Sequence, residues 1–462
     1  MHTLWKLLPN TTLSDHFLYF LSLYNRRKSD VILNTAMIRH SLKKHIFARE
    51  TIITFLALTT CRTTISNNSV RGFTSSFILT DRRSSRIASC RLLMSSSSSS
   101  SLYTATATAT GTGTWSNDTN RRQKAMERCI VPLSASSYKG SSGRVGVLGG
   151  SARYTGAPYY AAMASLKVGA DLAFCFCAEE AAIPLKSYSP ELMVIPVYKA
   201  SIFDEAVQNE EGMVSIKDDD DNNNDYNKET EQLVKKMVEE VCSMMDKMHV
   251  LVIGPGLGRC PLVLEATAQI IRTAQSKFHL PLVIDADALF LLTLPKYRNN
   301  LLSNDSSVIL TPNAMELKRI RESAGSNTNN NIDLPERCLI IEKGAVDIIR
   351  PANSAFSCSD DDTYNNDIHM CDEVGGLKRS GGIGDILAGT IGSLVAWNNI
   401  LTNRGKATYD DLPLSCWTAC CFVKRATNVA YDRHRRSMTA PDILKELGPV
   451  IDHMTTAEDD NI

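Results

Sequence analysis

Short aliphatic runs recur along the chain, and a turn containing glycine, proline, asparagine or aspartate follows them. Runs of this length and composition predict buried strands. They occupy residues 144–148, 173–177, 249–253, 282–284, 308–310 and 338–342. Helix-like segments accompany these runs, at residues 159–168, 231–247 and 262–276, in a short segment ending at residue 321, and at residues 413–430 and 439–447.

Strand, turn, helix and strand in succession describe a βαβ unit, which implies parallel strands and a right-handed crossover. The repeated pattern predicts an α/β fold: one doubly wound, mostly parallel sheet with helices on both faces, in α/β/α layers. Ligands of such domains bind beyond the carboxyl ends of the strands. The turns that follow the strands are therefore expected to share one edge of the sheet.

The stretch 375–385 has the densest pattern of candidate chemistry. It holds five glycines and the cations Lys378 and Arg379 before Asp385, and an apolar segment begins immediately behind it. The apolar residues recur with helical spacing, so Asp385 is expected at or just before a helix N-terminus, where free N–H groups favour an anion. A glycine-rich turn also lets the backbone approach a phosphate. The alternative is a flexible loop in which Asp385 only caps the helix.

Other strand-end turns allow two interpretations each. Asn313 and Glu316 form an N-x-x-E pair at a helix start, which can hold hydrated Mg²⁺ against phosphates or act as a capping box. Asp285 and Asp287 end a strand, where we favour capping over a metal site. The turn 254–258 does not match G-x-G-x-x-G, and no Walker lysine motif occurs in the chain.

The first 120 residues differ in composition from the remainder. They are rich in arginine, lysine, serine and threonine, contain few acids, and end in a serine run followed by a Thr-Ala alternation. Such a segment does not bury a core and resembles an organelle transit peptide. We expect a disordered targeting presequence at 1–120 and a catalytic domain at 121–455. The expected location is mitochondrial, with a plastid as the alternative, or the cytoplasm if translation starts at Met94.

Charge and cysteine content argue against some classes of partner and of metal site. Lys+Arg and Asp+Glu number 50 each, so no basic excess points to nucleic acid or to a membrane surface as a partner. The 13 cysteines are scattered, without C-x-x-C, which argues against a zinc site and favours reduced thiols. We assign the acidic run 218–224 and the polar inserts 327–331 and 360–366 to surface loops.

Several fragments occur together in one order. The chain from residue 139 to 447 resembles the ribokinase-like superfamily, which is marked by G-x-G-D before a helix and by N-x-x-E. It is more closely similar to the ATP-dependent NAD(P)H-hydrate dehydratase family, the YjeF-type C-terminal domain. The matching fragments are residues 149–151, 154–158, 187–192, 254–259, 285–289, 310–313, 343–344 and 381–385.

The resemblance implies a repair reaction on a nucleotide. The S form of hydrated NADH or NADPH would be phosphorylated by ATP on its added hydroxyl, and loss of phosphate would restore the ring. Asp385 would be the catalytic base, and Gly381, Gly382 and Gly384 would shape an anion hole. A separate epimerase is expected to act in the same pathway, and homo-oligomer formation is left open.

The resemblance also assigns binding residues. ATP would contact Lys343, Gly344, Ala345, Val346, Asp347, Gly375, Gly376, Leu377, Lys378, Arg379, Ser380, Gly381, Gly382, Ile383 and Gly384. The hydrated nucleotide would contact Gly258, Asn313, Ala314, Met315, Glu316, Leu317, Lys318, Arg319 and Asp385. Glu316 would hold Mg²⁺ through water. The alternatives are a vitamin or sugar kinase of the same superfamily, which would use the same Asp385, and a non-catalytic nucleotide sensor.

Overall fold

The computed structural model divides the chain into two compact units, residues 1–105 and 106–462. It describes residues 54–56, 65–66, 69–70, 73–80 and 87–94 in the first unit, and 112–214, 223–323, 334–353 and 368–456 in the second. The described parts of the first unit are the strands Thr54–Leu56 (β1), Ile65–Ser66 (β2), Ser69–Val70 (β3), Phe73–Thr80 (β4) and Ile87–Met94 (β5). All of their pairings are antiparallel, β1 with β4, β4 with β5 and β2 with β3. The sequence did not lead us to expect these strands, and the targeting role of residues 1–120 stays a prediction.

The second unit is built on one ten-stranded sheet. Its strands are Thr112–Gly113 (β6), Arg144–Leu148 (β7), Leu172–Ala178 (β8), Met193–Tyr198 (β9), Val250–Ile253 (β10), Leu282–Ile284 (β11), Val308–Leu310 (β12), Cys338–Glu342 (β13), Asp347–Pro351 (β14) and His369–Cys371 (β15). Their spatial order is β6-β15-β14-β13-β12-β11-β10-β7-β8-β9, and only the β13–β14 and β14–β15 pairs are antiparallel. The order reverses between β7 and β10, which is where ligands bind in open α/β sheets.

The described helices of the second unit connect and cover these strands. They are Thr119–Arg128 (α1), Gly156–Val168 (α2), Glu179–Tyr188 (α3), Ala200–Val214 (α4), Asn223–Cys242 (α5), Pro261–Ser276 (α6), Ala286–Leu289 (α7), Ala314–Ser323 (α8), Ile383–Asn403 (α9), Leu412–His434 (α10) and Ala440–Thr456 (α11). Helices α2, α9, α10 and α11 pack together on the sheet, and α3 contacts α2, whereas α4, α5 and α6 form a second group. No helix in the described part of the chain is both long and apolar enough to cross a membrane.

Alternate residues of the central strands face opposite helix layers, as the pleat requires. Val145 and Val252 lie against Gly392 of α9, whereas Gly146 lies against Met248 and Leu251 on the other side. The strand residues are fully buried on both faces, which explains their continuous apolar runs in the sequence. The α/β class with helices on both faces of a mostly parallel sheet is therefore confirmed.

Helix α9 lies at the centre of the unit. We expected one apolar stripe, and its members Leu387, Ile391 and Leu394 are indeed buried. The structure buries almost the whole helix from residue 386 to 398, because α2, α10 and the sheet surround it. A Cβ atom at Gly389 would lie 1.9 Å from the Ala161 carbonyl oxygen, so only glycine permits this close approach of α9 to α2.

The folded second unit begins earlier than the expected boundary at residue 121. Strand β6 pairs with β15, and Trp115 is 3% exposed and stacks on Trp417. The Trp115 backbone N–H donates to the Glu373 carboxylate at 3.0 Å, and its indole N–H donates to the Met454 carbonyl at 3.1 Å. Residues 112–120 therefore belong to the folded second unit, although their composition resembles that of the segment before them.

Several helices and strands were not predicted, or differ in length from the prediction. The sequence pattern did not predict β9, β14, β15, α1, α3 or α4, because none of these segments combines an apolar run with a distinct turn behind it. Helix α11 extends to Thr456, well beyond residue 447. Most of the acidic run 218–224 and both polar inserts, 327–331 and 360–366, lie outside the described residues.

Candidate active site

The strand-end turns converge at one edge of the sheet, as expected. The Gly150 N–H donates to the Pro255 carbonyl at 3.0 Å, which joins the turns after β7 and β10. Further along the edge, Lys343 N–H donates to the Pro312 carbonyl at 3.1 Å, which joins the turns after β12 and β13. The turn after β11 lies between these pairs because β11 pairs with both β10 and β12.

Asp385 lies in the first turn of α9, which begins at Ile383. The expected helix start is confirmed, but the interpretation of Asp385 as a cap is wrong. The N-cap residue is Gly382, whose φ of +93° favours glycine, and a Cβ there would lie 2.7 Å from Ala440 Cβ. Among the described residues the Asp385 carboxylate has no hydrogen-bond partner. It is free to accept a proton from a bound molecule.

The electrostatic environment disfavours ionisation of Asp385. Burial raises the pKa of this carboxyl, and the nearby Asp285 carboxylate raises it further. The Lys343 ammonium opposes the change, while the charges of Asp287 and Glu316 reinforce it. The resulting pKa is about 7, compared with an ordinary value of 3.8. A carboxylate whose pKa lies near the working pH is suited to general base catalysis.

A buried ion pair lies beside Asp385. Lys343 Nζ is 2.7 Å from Asp285 Oδ1, and the Thr311 hydroxyl donates to the same oxygen at 2.7 Å. The Asp285 side chain is 2% exposed. Its position precedes α7, yet it makes no cap hydrogen bond, so our preference for a capping role is wrong for Asp285. A buried carboxylate needs a partner, and here the partner is a lysine.

Asp287 organises the turn after β10. Its carboxylate accepts from the Gly258 N–H at 3.0 Å and pairs with Arg259 at 3.0 Å. The Arg259 guanidinium also lies over the Phe290 ring, 4.6 Å from its centroid. A depression at this point is lined by Arg259, Ala286, Leu289, Phe290, Thr293, Glu316, Arg319 and Ile320. The structure thus brings Arg259, the residue after Gly258, together with Glu316 and Arg319 of the segment 313–319.

The Asn313–Glu316 pair has the geometry of a capping box. Asn313 Oδ1 accepts from the N–H groups of Met315 and Glu316, and Glu316 Oε2 accepts from the Asn313 N–H at 2.9 Å. Ala314, Met315, Lys318 and Arg319 are exposed on this helix, whereas Leu317 is buried in the core. One Glu316 oxygen remains for another ligand.

The two segments expected to bind ATP are held together by α10. Lys424 Nζ donates to the Ala345 carbonyl at 2.6 Å and lies 3.4 Å from the buried Asp347 carboxylate. On the same helix, the Thr427 hydroxyl accepts from the Gly376 N–H at 3.1 Å. The sequence pattern did not indicate a role for Lys424 or Thr427, because nothing in an apolar helix pattern distinguishes a residue that faces a loop.

The remaining members of the glycine-rich turn, residues 375–384, lie nearer to solvent. Leu377 is 78% exposed, and Arg379 donates to the Gly376 carbonyl at 2.6 Å, which closes the turn on itself. Lys378 is partly exposed. Lys343, by contrast, was expected at the edge of a nucleotide but lies against Asp285 and beside the first turn of α9.

Metal ligands are sparse. Within the described ranges no group of three His, Cys, Asp or Glu side chains is arranged to hold a metal ion. Mg²⁺ commonly keeps its waters and binds through one or two carboxylates together with substrate phosphates. The free oxygen of Glu316 fits that mode, and no protein cage is needed for it.

Comparison with known proteins gives a consistent result. The model of the family described as NAD(P)H-hydrate dehydratase matches residues 145–211 and 205–449. An ATP-dependent (S)-NAD(P)H-hydrate dehydratase of Batrachochytrium dendrobatidis is 34% identical over 72% of this chain and 98% of its own length. The chain belongs to the NAD(P)H-hydrate dehydratase family.

Two other proteins with NAD(P)H-hydrate dehydratase in their names also match this chain. A Mus musculus protein with the same name is 32% identical over 71% of this chain and 84% of its own. A solved Bacillus subtilis ADP/ATP-dependent NAD(P)H-hydrate dehydratase, co-crystallised with ATP and Mg²⁺, covers 72% of this chain and 97% of its own. Its sequence identity is 17% and its TM-score 0.47.

Proposed function

We propose that this chain is an ATP-dependent (S)-NAD(P)H-hydrate dehydratase, which restores NADH or NADPH from the hydrated form. Membership of the family supports the substrate and the requirement for ATP. The observation that carries the chemistry is Asp385, a carboxylate directly behind a glycine-rich turn, with a pKa of about 7 and no hydrogen-bond partner in the part of the chain that the structure describes. This is the arrangement needed to deprotonate a hydroxyl as it attacks a phosphoryl group.

The reaction has two steps. The hydroxyl oxygen on the hydrated ring forms a bond to the γ-phosphorus of ATP, the bond to the β–γ bridging oxygen breaks, and ADP leaves. Asp385 takes the hydroxyl proton in this step. The carbon–oxygen bond then breaks, phosphate departs and the neighbouring carbon loses a proton, which restores the ring double bond. Phosphate is a much better leaving group than hydroxide, and this difference explains the use of ATP.

The proposed roles of the remaining residues follow their positions. Gly381, Gly382 and Gly384 present backbone N–H groups at the start of α9 to the transferring phosphoryl group. Residues 344–347 and 375–384 hold ATP, and α10 holds the two segments together through Lys424 and Thr427. Gly258 and residues 313–319 bind the hydrated nucleotide. Glu316 would hold Mg²⁺ through water, where the ion would neutralise phosphate charge.

The test uses acid-hydrated NADH. Purified protein is incubated with it, ATP and Mg²⁺, and the near-UV absorbance of reduced nicotinamide is followed. We expect the absorbance to return only when ATP is present. A phosphorylated nucleotide that accumulates without recovery of absorbance would instead identify a kinase.

We also propose that the N-terminal segment directs the protein to mitochondria. Its basic, serine-rich and acid-poor composition supports this. Residues 1–105 fused to a fluorescent protein should accumulate in mitochondria. Accumulation in plastids, or a diffuse signal, would contradict the proposal.

An epimerase on a separate chain would supply the S form from the R form.

A further inference from the structure

The buried pair formed by Asp285 and Lys343 lies at the meeting point of three strand ends. Asp285 follows β11, its partner Thr311 follows β12, and Lys343 follows β13. Both contacts to Asp285 Oδ1 measure 2.7 Å, and the Lys343 side chain is only 18% exposed. Burial acts to lower the pKa of Lys343, but the Asp285 carboxylate more than offsets this, so the pKa lies above its usual range. Lys343 is therefore a fixed cation.

The fixed cation is directed at the reaction centre. A Cβ atom built on Gly384 would lie 3.5 Å from Lys343 Nζ, so the ammonium group lies beside the first turn of α9. That turn carries Asp385 and the N–H groups proposed to receive the phosphoryl group. The loop 344–347 beside Lys343 is held separately, by Lys424 and Asp347, so Lys343 is not needed to maintain it.

We propose that Asp285 is a positioning residue that holds Lys343 against the transferring phosphoryl group, so that Lys343 acts on phosphoryl transfer rather than on the binding of ATP. This inference rests on the proposed function. A lysine side chain is flexible and its ammonium group is a mobile point charge, so a second group must fix it before it can act as a preorganised donor. Preorganised charges directed at developing charge are where electrostatic catalysis is strongest. The Thr311 hydroxyl fixes Asp285 in turn.

The test measures binding of a phosphoryl analogue, which does not depend on the identity of the second substrate. ADP with Mg²⁺ is titrated by calorimetry with and without aluminium fluoride, for the wild type, Asp285→Asn, Lys343→Met and the double variant. We expect aluminium fluoride to tighten ADP binding to the wild type. Asp285→Asn and Lys343→Met should each lose about 100-fold of that tightening, the size typical for one transition-state donor. Their affinities for ADP alone should change by less than about threefold, since no ground-state contact is lost.

The double variant decides between positioning and independent action. If Asp285 acts through Lys343, the double variant should be no weaker than Lys343→Met alone. Three outcomes would overturn the inference. They are a double variant in which the losses of the two single variants multiply, an Asp285→Asn variant in which aluminium fluoride tightens ADP binding as much as in the wild type, and a wild type in which it does not tighten ADP binding. Lys343→Met leaves a buried carboxylate unpaired, so Asp285→Asn and the neutral double variant carry the test if that single variant does not fold.

Asp287→Asn is the matched comparison. Asp287 also lies near Asp385 and carries the same charge, but it contacts Gly258 and Arg259 rather than Lys343. Asp287→Asn should raise the KM of the hydrated nucleotide. In the double variant with Lys343→Met, the kinetic effects of the two substitutions should multiply, because the two residues act independently. Tightening by aluminium fluoride without turnover of hydrated NADH would refute only the proposed function. Turnover without tightening would refute only this inference.

Discussion

Replacing Asp385 with asparagine should abolish turnover and at the same time stabilise the fold. Ionisation of this carboxyl is disfavoured in the folded protein, and its pKa is about 7 against an ordinary 3.8. That difference corresponds to about 4 kcal/mol at 1.36 kcal/mol for each pKa unit. Because Asp385 is partly exposed, solvent reduces the cost of ionising it in the folded protein. We therefore expect Asp385→Asn to raise the free energy of unfolding by about 2–4 kcal/mol at pH 8.

The sign of the pH dependence is fixed by the direction of the pKa change. A pKa raised by folding contributes stability that is complete below pH 3.8 and is lost as the pH rises to about 7. Asparagine does not ionise, so the advantage of Asp385→Asn should be small in acid, grow between pH 4 and 7, and remain constant above. Its free energy of unfolding should exceed that of the wild type by about 2 kcal/mol more at pH 8 than at pH 5.

The assay is urea denaturation of the full chain at pH 5 and pH 8, followed by circular dichroism. Asp442→Asn is the control with the opposite sign, because this carboxylate accepts two hydrogen bonds from Thr439, both at 2.9 Å, and these lower its pKa. That variant should lose stability at pH 8. An Asp385→Asn variant that is equally or less stable than the wild type at both pH values would refute the electrostatic account of the site.

Three further results follow from the same contacts. The kcat/KM for hydrated NADH should fall as the pH drops through about 7, since Asp385 must be ionised to accept a proton, and a flat profile from pH 5.5 to 8 would exclude it as the base. Lys424→Met should raise the KM for ATP about tenfold and destabilise the protein by about 3 kcal/mol, because Asp347 loses its buried partner. An unchanged KM for ATP would show that α10 does not contribute to ATP binding. Removing residues 1–105 should leave thermal stability intact, whereas Trp115→Ala in the full chain should cost about 3–5 kcal/mol of unfolding free energy.

The sequence pattern was sufficient for the parts of the fold that are locally encoded. The central strands β7, β10, β11, β12 and β13 are buried on both faces and appear as continuous apolar runs, so their positions were predicted almost to the residue. Strands β14 and β15 lie near the edge of the sheet and are partly exposed, so they carry no such signal. Residues 112–120 were misassigned because their contribution depends on a long-range contact, the stacking of Trp115 on Trp417.

In the candidate site, too, locally encoded features could be predicted and long-range contacts could not. Asp385 and the glycine-rich turn could be located from the sequence, because a glycine run before an apolar helix has few other uses. The partner of Asp285 could not, since Lys343 is far away in sequence and only the parallel register of β11, β12 and β13 brings the two together. Lys424 and Thr427 were missed for the same reason: each acts through the loop that it faces, not through its own helix.

The stoichiometry of the reaction tests the proposed ATP-dependent dehydration most directly. Wild-type protein is given S-hydrated NADH, ATP and Mg²⁺, and NADH, ADP and inorganic phosphate are quantified together, with Asp385→Asn in parallel. We expect the three products to appear in equal amounts with the wild type, and we expect Asp385→Asn to bind ATP but to form none of them above background. ADP released without NADH, or turnover by Asp385→Asn at a rate near that of the wild type, would contradict this expectation.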